Sequence, residues 1–386
     1  MMARPPEAIE ALACALMSVY RDLGLRPLIN AWGTVTAVGG SLLAPEVLDA
    51  MREAAGAYVD LHALQARAGE RIAAALDVEA ACVTAGAAAG LTVATAAAMT
   101  RDHPELRARL PRASGLPDEC LMLRGHRNRY DAAVAVAGAR VVEVEDATGA
   151  SVEELRRALS DRTALLLWMA EARSLPGSPP LAEVAAVLHE HGIPLVVDAA
   201  AEVPPRALVR QMLDEGADLV VLSGGKEVRG PQSSGMILGR RELVAACAAV
   251  AYPHHGVARG MKTDKETIVG LVAAVELFAR RNEAAEQAAR ERMVSELVAG
   301  LAGCVDLRVR RHVLERPGIQ PASIPRAYVR PLHATAAAVA ERLRSGDPAV
   351  VVGVDGDEIA LNPQCLTPEQ VPVVVQAVIR ACALVS

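Results

Sequence analysis

The sequence predicts an α/β fold: a mostly parallel seven-stranded sheet with helices on both faces, followed by a smaller C-terminal α+β part. Three observations predict it. From about residue 78 to about residue 250, seven short apolar runs alternate with longer amphipathic segments. Several runs are rich in Val, Ile and Leu without polar alternation, which suits strands buried on both faces. After about residue 258 this rhythm gives way to a long helical pattern and then shorter strands.

Taken in order, Ile9, Leu12, Leu16, Tyr20 and Leu23 recur at helical spacing, so residues 1–27 read as an amphipathic helical arm. Glu7 and Glu10 interrupt the apolar stretch a secretion signal would need. The seven strands are expected at Val78–Val83, Cys120–Leu123, Ala139–Val144, Ala164–Trp168, Ile193–Val197, Ala217–Leu222 and Met236–Leu238. The helices between them are expected at Ala87–Met99, Tyr130–Ala137, Val152–Leu159, Leu181–His191, Pro205–Glu215 and Arg241–Val250. One long helix is expected from Lys265 to about Leu297. Strands follow near Leu307–Val309, Ala327–Val329, Ala349–Val352 and Glu358–Leu361, with helices at Ala334–Leu343 and Pro368–Leu384. The large domain is therefore expected to span residues 28–258 and the small one residues 259–386.

Composition narrows the function. The chain has 386 residues, 52% of them hydrophobic, enough for a large core and more than one domain. A net charge of −6 without a basic run is a poor match for a nucleic-acid backbone. With 2% aromatic residues, platforms for stacking bases are scarce. The seven cysteines are scattered and unpaired in spacing, as in a reducing compartment, and no metal site is expected. No apolar stretch is long enough to span a membrane, and a cytoplasmic protein is expected.

Three features lie just after strand ends. Thr84-Ala85-Gly86-Ala87-Ala88-Ala89-Gly90 puts small residues at a helix start, where backbone N–H groups can approach an anion. Asp198 ends the apolar run Pro194–Val197, where a carboxylate needs a partner. Lys226 follows another apolar run through Ser223-Gly224-Gly225, and a partly desolvated lysine forms Schiff bases with carbonyls. Singly, each has a plainer reading: a close-packed helix start, a helix cap, a solvated turn. In this order, at the ends of strands of one sheet, they supply an anion site, a counter-charge for a ring nitrogen and a Schiff-base lysine. Pyridoxal 5'-phosphate (PLP) needs that set. His126, after the run Cys120–Leu123, is placed to cover one ring face, and Ser223 to bind the phosphate.

The chain also resembles fold-type-I PLP enzymes of the selenocysteine synthase and D-glucosaminate-6-phosphate ammonia-lyase group. The resemblance runs from about Pro27 to about residue 365. Its motifs are LINAWGTVTAVGGSLLAPEVLDAM (Leu28–Met51), VTAGAAAGLT (Val83–Thr92), GHRNRYDAAVAVAGARVVEV (Gly125–Val144), VVDAAAEVPP (Val196–Pro205), SGGKEVRGPQSSGMILGR (Ser223–Arg240) and ARGMKTDKETIVGL (Ala258–Leu271). It implies that Lys226 is the Schiff-base lysine, that Asp198 partners the pyridine nitrogen, and that Gly86, Ala87, Ala88 and Ser223 hold the phosphate. It implies that His126 stacks on the ring, and that Gln232 and Ser233 reach a neighbouring subunit's cofactor in a homodimer or larger assembly. Arg259, Lys262 and Lys265 are implied as substrate-anion binders; a solvated basic helix start is the other reading of the two lysines. Asn30 and Thr34 would line the site, or else form a structural turn.

The implied activity is Cα deprotonation and α,β-elimination, releasing ammonia from a small polar amino acid or amino sugar acid. Racemase, aldolase and aminotransferase chemistry are the alternatives on the same cofactor. Selenium or sulfur transfer on aminoacyl-tRNA, and a non-catalytic scaffold, are further ones. Two departures bear on the substrate. An arginine expected near Val38-Gly39-Gly40 is missing, and Glu171-Ala172-Arg173-Ser174 has no clear counterpart. The expected substrate is a small amine-bearing molecule, with no nucleic acid or membrane partner.

Overall fold

The structure, a computed structural model, describes residues 18–101, 103–144, 151–315 and 320–383. Within them the strands are β1 (Leu28–Ala31), β2 (Ala80–Thr84), β3 (Glu119–Leu123), β4 (Arg140–Val144), β5 (Thr163–Met169) and β6 (Leu195–Asp198). They continue with β7 (Leu219–Ser223), β8 (Gly235–Gly239), β9 (Leu307–His312), β10 (Arg326–Pro331), β11 (Ala349–Asp355) and β12 (Glu358–Leu361). Packing separates the chain into two units. One holds residues 34–285 with 314–323; the other holds the rest, including β1.

The larger unit is built on a seven-stranded sheet of order β2-β8-β7-β6-β5-β3-β4. The neighbours from β7 to β4 pair in parallel, and β8 runs antiparallel between β2 and β7. All seven expected strands are present. Successive residues along β7 alternate between two cores: Val220 and Leu222 join one, Leu219 and Val221 the other. That is the two-residue period of a strand with both faces covered. The first core also takes residues from the helices Pro45–Ala55, Leu61–Leu76, Leu181–Glu190, Ala207–Asp214 and Lys265–Arg280. The second takes the helices Ala87–Thr100, Ala132–Ala137 and Arg241–Val250. Each fully buried Leu, Val or Ile stabilises the fold by roughly 1.5–3 kcal/mol, so the uninterrupted apolar runs read correctly as strands.

The smaller unit has a five-stranded sheet, β1-β11-β12-β10-β9, in which only β1 and β11 pair in parallel. The helices Ala336–Ser345 and Val371–Ala383 belong to it, and Val329, Val339, Val350, Ile359 and Val374 lie in its core.

The structure differs from the sequence reading in three places. The expected long helix breaks after Arg280, because Arg281 takes an extended conformation, and a second helix runs from Glu283 to Leu301. The first piece, Lys265–Arg280, belongs to the larger unit and not to the smaller one: Ile268, Leu271, Val275 and Phe278 are buried in the core that contains Val47 and Ile72. β1 moves the other way, out of the expected large domain, since its partner is β11. Of the expected N-terminal arm, Ser18–Asp22 is a short helix, and Ile9, Leu12 and Leu16 lie outside the described residues. Of the described cysteines, Cys82, Cys120, Cys247 and Cys382 are buried. Among the described residues, no helix is long and apolar enough to cross a membrane.

Candidate active site

The strand register collects the predicted groups at one end of the sheet. Thr84 of β2 pairs with Gly235 of β8, and Gly235 pairs with Ser223 of β7. One strand further, Asp198 pairs with Val221 on one side and Met169 on the other. Val196 and Val221 lie in the core beneath the helix Ala87–Thr100. Asp198 and Ser223, each two residues further along, therefore face the same side at the strands' carboxyl ends. Ligands of open parallel sheets bind beyond that end.

The helix Ala87–Thr100 begins at Gly86, whose φ of +88° favours glycine, and no side chain caps it. Its first N–H groups are left for an anion. Thr84 Oγ1 donates to the Gly86 carbonyl at 3.0 Å and fixes the turn. Two glycines let the helix sit this close to the sheet. A Cβ on Gly235 would come within 2.5 Å of the Gly86 carbonyl carbon, and one on Gly90 within 2.8 Å of Val221 Cγ1.

Lys226 is reached through a turn that only glycine permits. A Cβ on Gly224 would lie 2.1 Å from Ser234 Oγ, and one on Gly225 would lie 2.4 Å from Gln232 Cα. The Gly224 N–H donates to the Ser234 carbonyl at 2.8 Å, and the Gly225 carbonyl accepts from Ser41 N at 3.1 Å. The two glycines thus fold the chain tightly after β7 and leave Lys226 half-buried.

Lys226 lines a narrow cleft with Asn128, Tyr130, Met169, Glu171, Asp198, Ala200, Ala201 and Glu202. Burial lowers the Lys226 pKa, while Asp198, Glu202 and Glu171 act to raise it. Asp198 is 7% exposed, and its Oδ1 accepts from Ala200 N at 2.9 Å. Burial pushes its pKa up to about 6, against the Ala200 N–H and the charge of Lys226. Glu202 is pushed up to about 8, first by burial and then by Glu171 and Asp198. Glu171 Oε1 accepts from Asn128 Nδ2 at 2.7 Å.

His126 is buried and committed. Its Nδ1 accepts from Met169 N at 3.1 Å, its Nε2 lies 2.9 Å from Ser178 Oγ, and its ring meets Trp168 edge-on at 4.4 Å. Burial lowers its pKa to about 4, so it is neutral at pH 7. His126 is not among the residues lining the Lys226 cleft; its hydrogen bond holds Met169, which is.

The other predicted residues are more dispersed. Gln232 and Ser233 are exposed, and the Gln232 amide donates to the Thr36 carbonyl at 2.8 Å. Arg259 lies over the Tyr252 ring at 5.2 Å, and Lys262 is exposed. Lys265 is neither a free anion binder nor a solvated helix start: its Nζ donates to the Ala54 carbonyl at 2.7 Å and pairs with Glu266. Asn30 forms a local turn, accepting from Trp32 N and donating to the Gly33 carbonyl, both at 2.9 Å. Thr34 is 3% exposed, and its Oγ1 has no hydrogen-bond partner.

Sequence reading missed Glu171 and Glu202. Glu171 stood in the stretch without a counterpart. Glu202 stood in full view inside VVDAAAEVPP, four residues after Asp198. The signal was its place in an otherwise apolar run, where a carboxylate is not left in solvent.

These residues fit PLP on their own chemistry: an uncapped helix N-terminus for phosphate, a buried carboxyl for a cationic ring nitrogen, and a desolvated lysine amine for the aldehyde. Comparison with known proteins agrees. The family model described as "SelA: L-seryl-tRNA selenium transferase" matches residues 28–324, so the chain belongs to this family. It is 37% identical to D-glucosaminate-6-phosphate ammonia lyase of Salmonella typhimurium over 291 residues, covering 74% of this chain and 76% of that protein. It is 33% identical to 5'-C-glycyluridine monooxygenase-decarboxylase of a Streptomyces species, covering 91% and 88%. A solved D-glucosaminate-6-phosphate ammonia-lyase structure superposes with a TM-score of 0.82 at 30% identity, covering 95% of this chain and 99% of that one. The protein is thus a PLP-dependent enzyme of fold type I.

Proposed function

We propose that the protein is a lyase that removes the Cα proton of a small polar amino acid or amino sugar acid, expels a group from Cβ and releases ammonia. The observation that carries this reading is the likeness, in sequence and in structure, to an ammonia lyase, over a cleft that brings Lys226 and Asp198 together. Gly86, Ala87, Ala88 and Ser223 would hold the cofactor phosphate, Asp198 its ring nitrogen and Lys226 its aldehyde. When bound, PLP supplies a sink for the electron pair left at Cα. Lys226, with its lowered pKa, takes the Cα proton onto Nζ. Met169, held by His126, walls the cleft, and Arg259 is the candidate for a substrate anion, so Arg259→Ala should mainly raise KM. The cytoplasmic, homodimeric state, with Gln232 and Ser233 turned toward a partner's site, belongs to the same proposal.

The test is a screen of amino sugar acids and β-hydroxy amino acids with PLP added, measuring ammonia and keto acid together. Equal release of both without oxygen uptake is expected. A second reading, oxidative decarboxylation, is favoured by the broad match to the monooxygenase-decarboxylase. Oxygen consumption with carbon dioxide release would select it and overturn the lyase reading.

A further inference from the structure

Glu202 has no task in the chemistry above. It is 7% exposed, and it lines the cleft that holds Lys226 and Asp198. Burying a charge is costly, and a carboxyl in that position keeps its proton to higher pH than one in solvent. The groups that act on it are known by element. Asp198 ends β6, Glu171 and Arg173 follow β5, and Lys226 follows β7. Arg173 is itself paired with Glu215 at 3.7 Å. Two buried carboxyls, Asp198 and Glu202, therefore share one lysine in a narrow cleft, and they cannot both ionise cheaply.

We propose that Glu202 is a positioning residue that sets the protonation state of Lys226: neutral, it leaves the amine free to lose its proton, and ionised, it holds that proton on Nζ. The sign follows from charge alone. A negative carboxylate favours the ammonium and raises the lysine pKa, and a neutral carboxyl does not. The burial-raised pKa of Glu202, about 8, places its ionisation in the range where enzymes are usually assayed. The inference rests on Lys226 being the reactive amine of the site, yet its test does not need the cofactor.

The chain contains three lysines, Lys226, Lys262 and Lys265, which makes the test direct. The full-length chain freed of PLP is trace-labelled with acetic anhydride between pH 6 and 10, and each lysine is read by mass spectrometry. Exposed Lys262 serves as the internal reference. Reactivity of Lys226 relative to Lys262 should be alike in wild type and Glu202→Gln at pH 6–7. At pH 9 it should be greater in the variant, by up to about tenfold for one pKa unit of coupling. Wild-type Lys226 alone should follow a drawn-out, two-proton curve, the mark of coupled groups. Superimposable curves for the two proteins would overturn the proposal. If the variant does not fold, a simple one-proton curve for wild-type Lys226 would overturn it as well. Failure of PLP to attach to Lys226 would instead sink the functional reading and leave these curves interpretable.

Discussion

Asp198 and Glu202 are both carboxyls raised by burial, and the same physics gives each a consequence. A carboxyl whose pKa is raised on folding penalises the folded state once pH exceeds its ordinary value. For Glu202 the penalty is absent below about 4.5, grows as pH rises, and is complete above about 8. The melting temperature of the cofactor-free protein should therefore fall less between pH 6 and 9 in Glu202→Gln than in wild type, by several degrees. Parallel melting curves would place the Glu202 carboxyl in solvent. Asp198→Asn removes the charge proposed for the ring nitrogen and should lower kcat about a hundredfold or more while KM changes little. Unchanged turnover would take Asp198 out of the chemistry. That Lys226 and Asp198 meet in one cleft was legible in sequence because both follow apolar runs of one sheet; singly, each has a plainer reading. Glu202 was not singled out: its one signal, an apolar setting, does not say which groups it meets in the fold.

At the scale of elements, the proposed phosphate cradle depends on how closely β8 approaches the start of the helix Ala87–Thr100. Gly235→Ala places a methyl group 2.5 Å from the Gly86 carbonyl carbon, so the cradle must shift while the sheet pairing on either side remains. The variant should fold, as judged by circular dichroism, and bind PLP at least about tenfold more weakly; wild-type affinity would show that the phosphate is held elsewhere. The strands were legible because burial on both faces produces short runs of Val, Ile and Leu without polar alternation. The break between Arg280 and Glu283 was not, since Arg281 and Asn282 include neither proline nor glycine and the helical periodicity continues across them. The swap of β1 into the smaller unit was equally hidden: pairing with β11 joins positions more than 300 residues apart, and a short apolar run does not name its partner.

For the whole molecule, the family description names a tRNA-linked transferase, yet the chain carries a net charge of −6 and little aromatic surface. Nucleic-acid affinity comes mainly from neutralised phosphates, which an acidic chain supplies poorly. A gel-shift titration with serine tRNA at physiological salt should show no retarded band; a band in the micromolar range would revive transfer on aminoacyl-tRNA. The most direct test of the central claim, that Lys226 anchors PLP in this cleft, is reduction of the PLP-loaded protein with borohydride followed by peptide mapping. With three lysines in the chain, the outcome is unambiguous. A Schiff base at Lys226 should give a yellow protein whose colour is lost on reduction and whose label sits on Lys226 alone. A label on Lys262 or Lys265, or a protein that stays colourless with PLP, would contradict it.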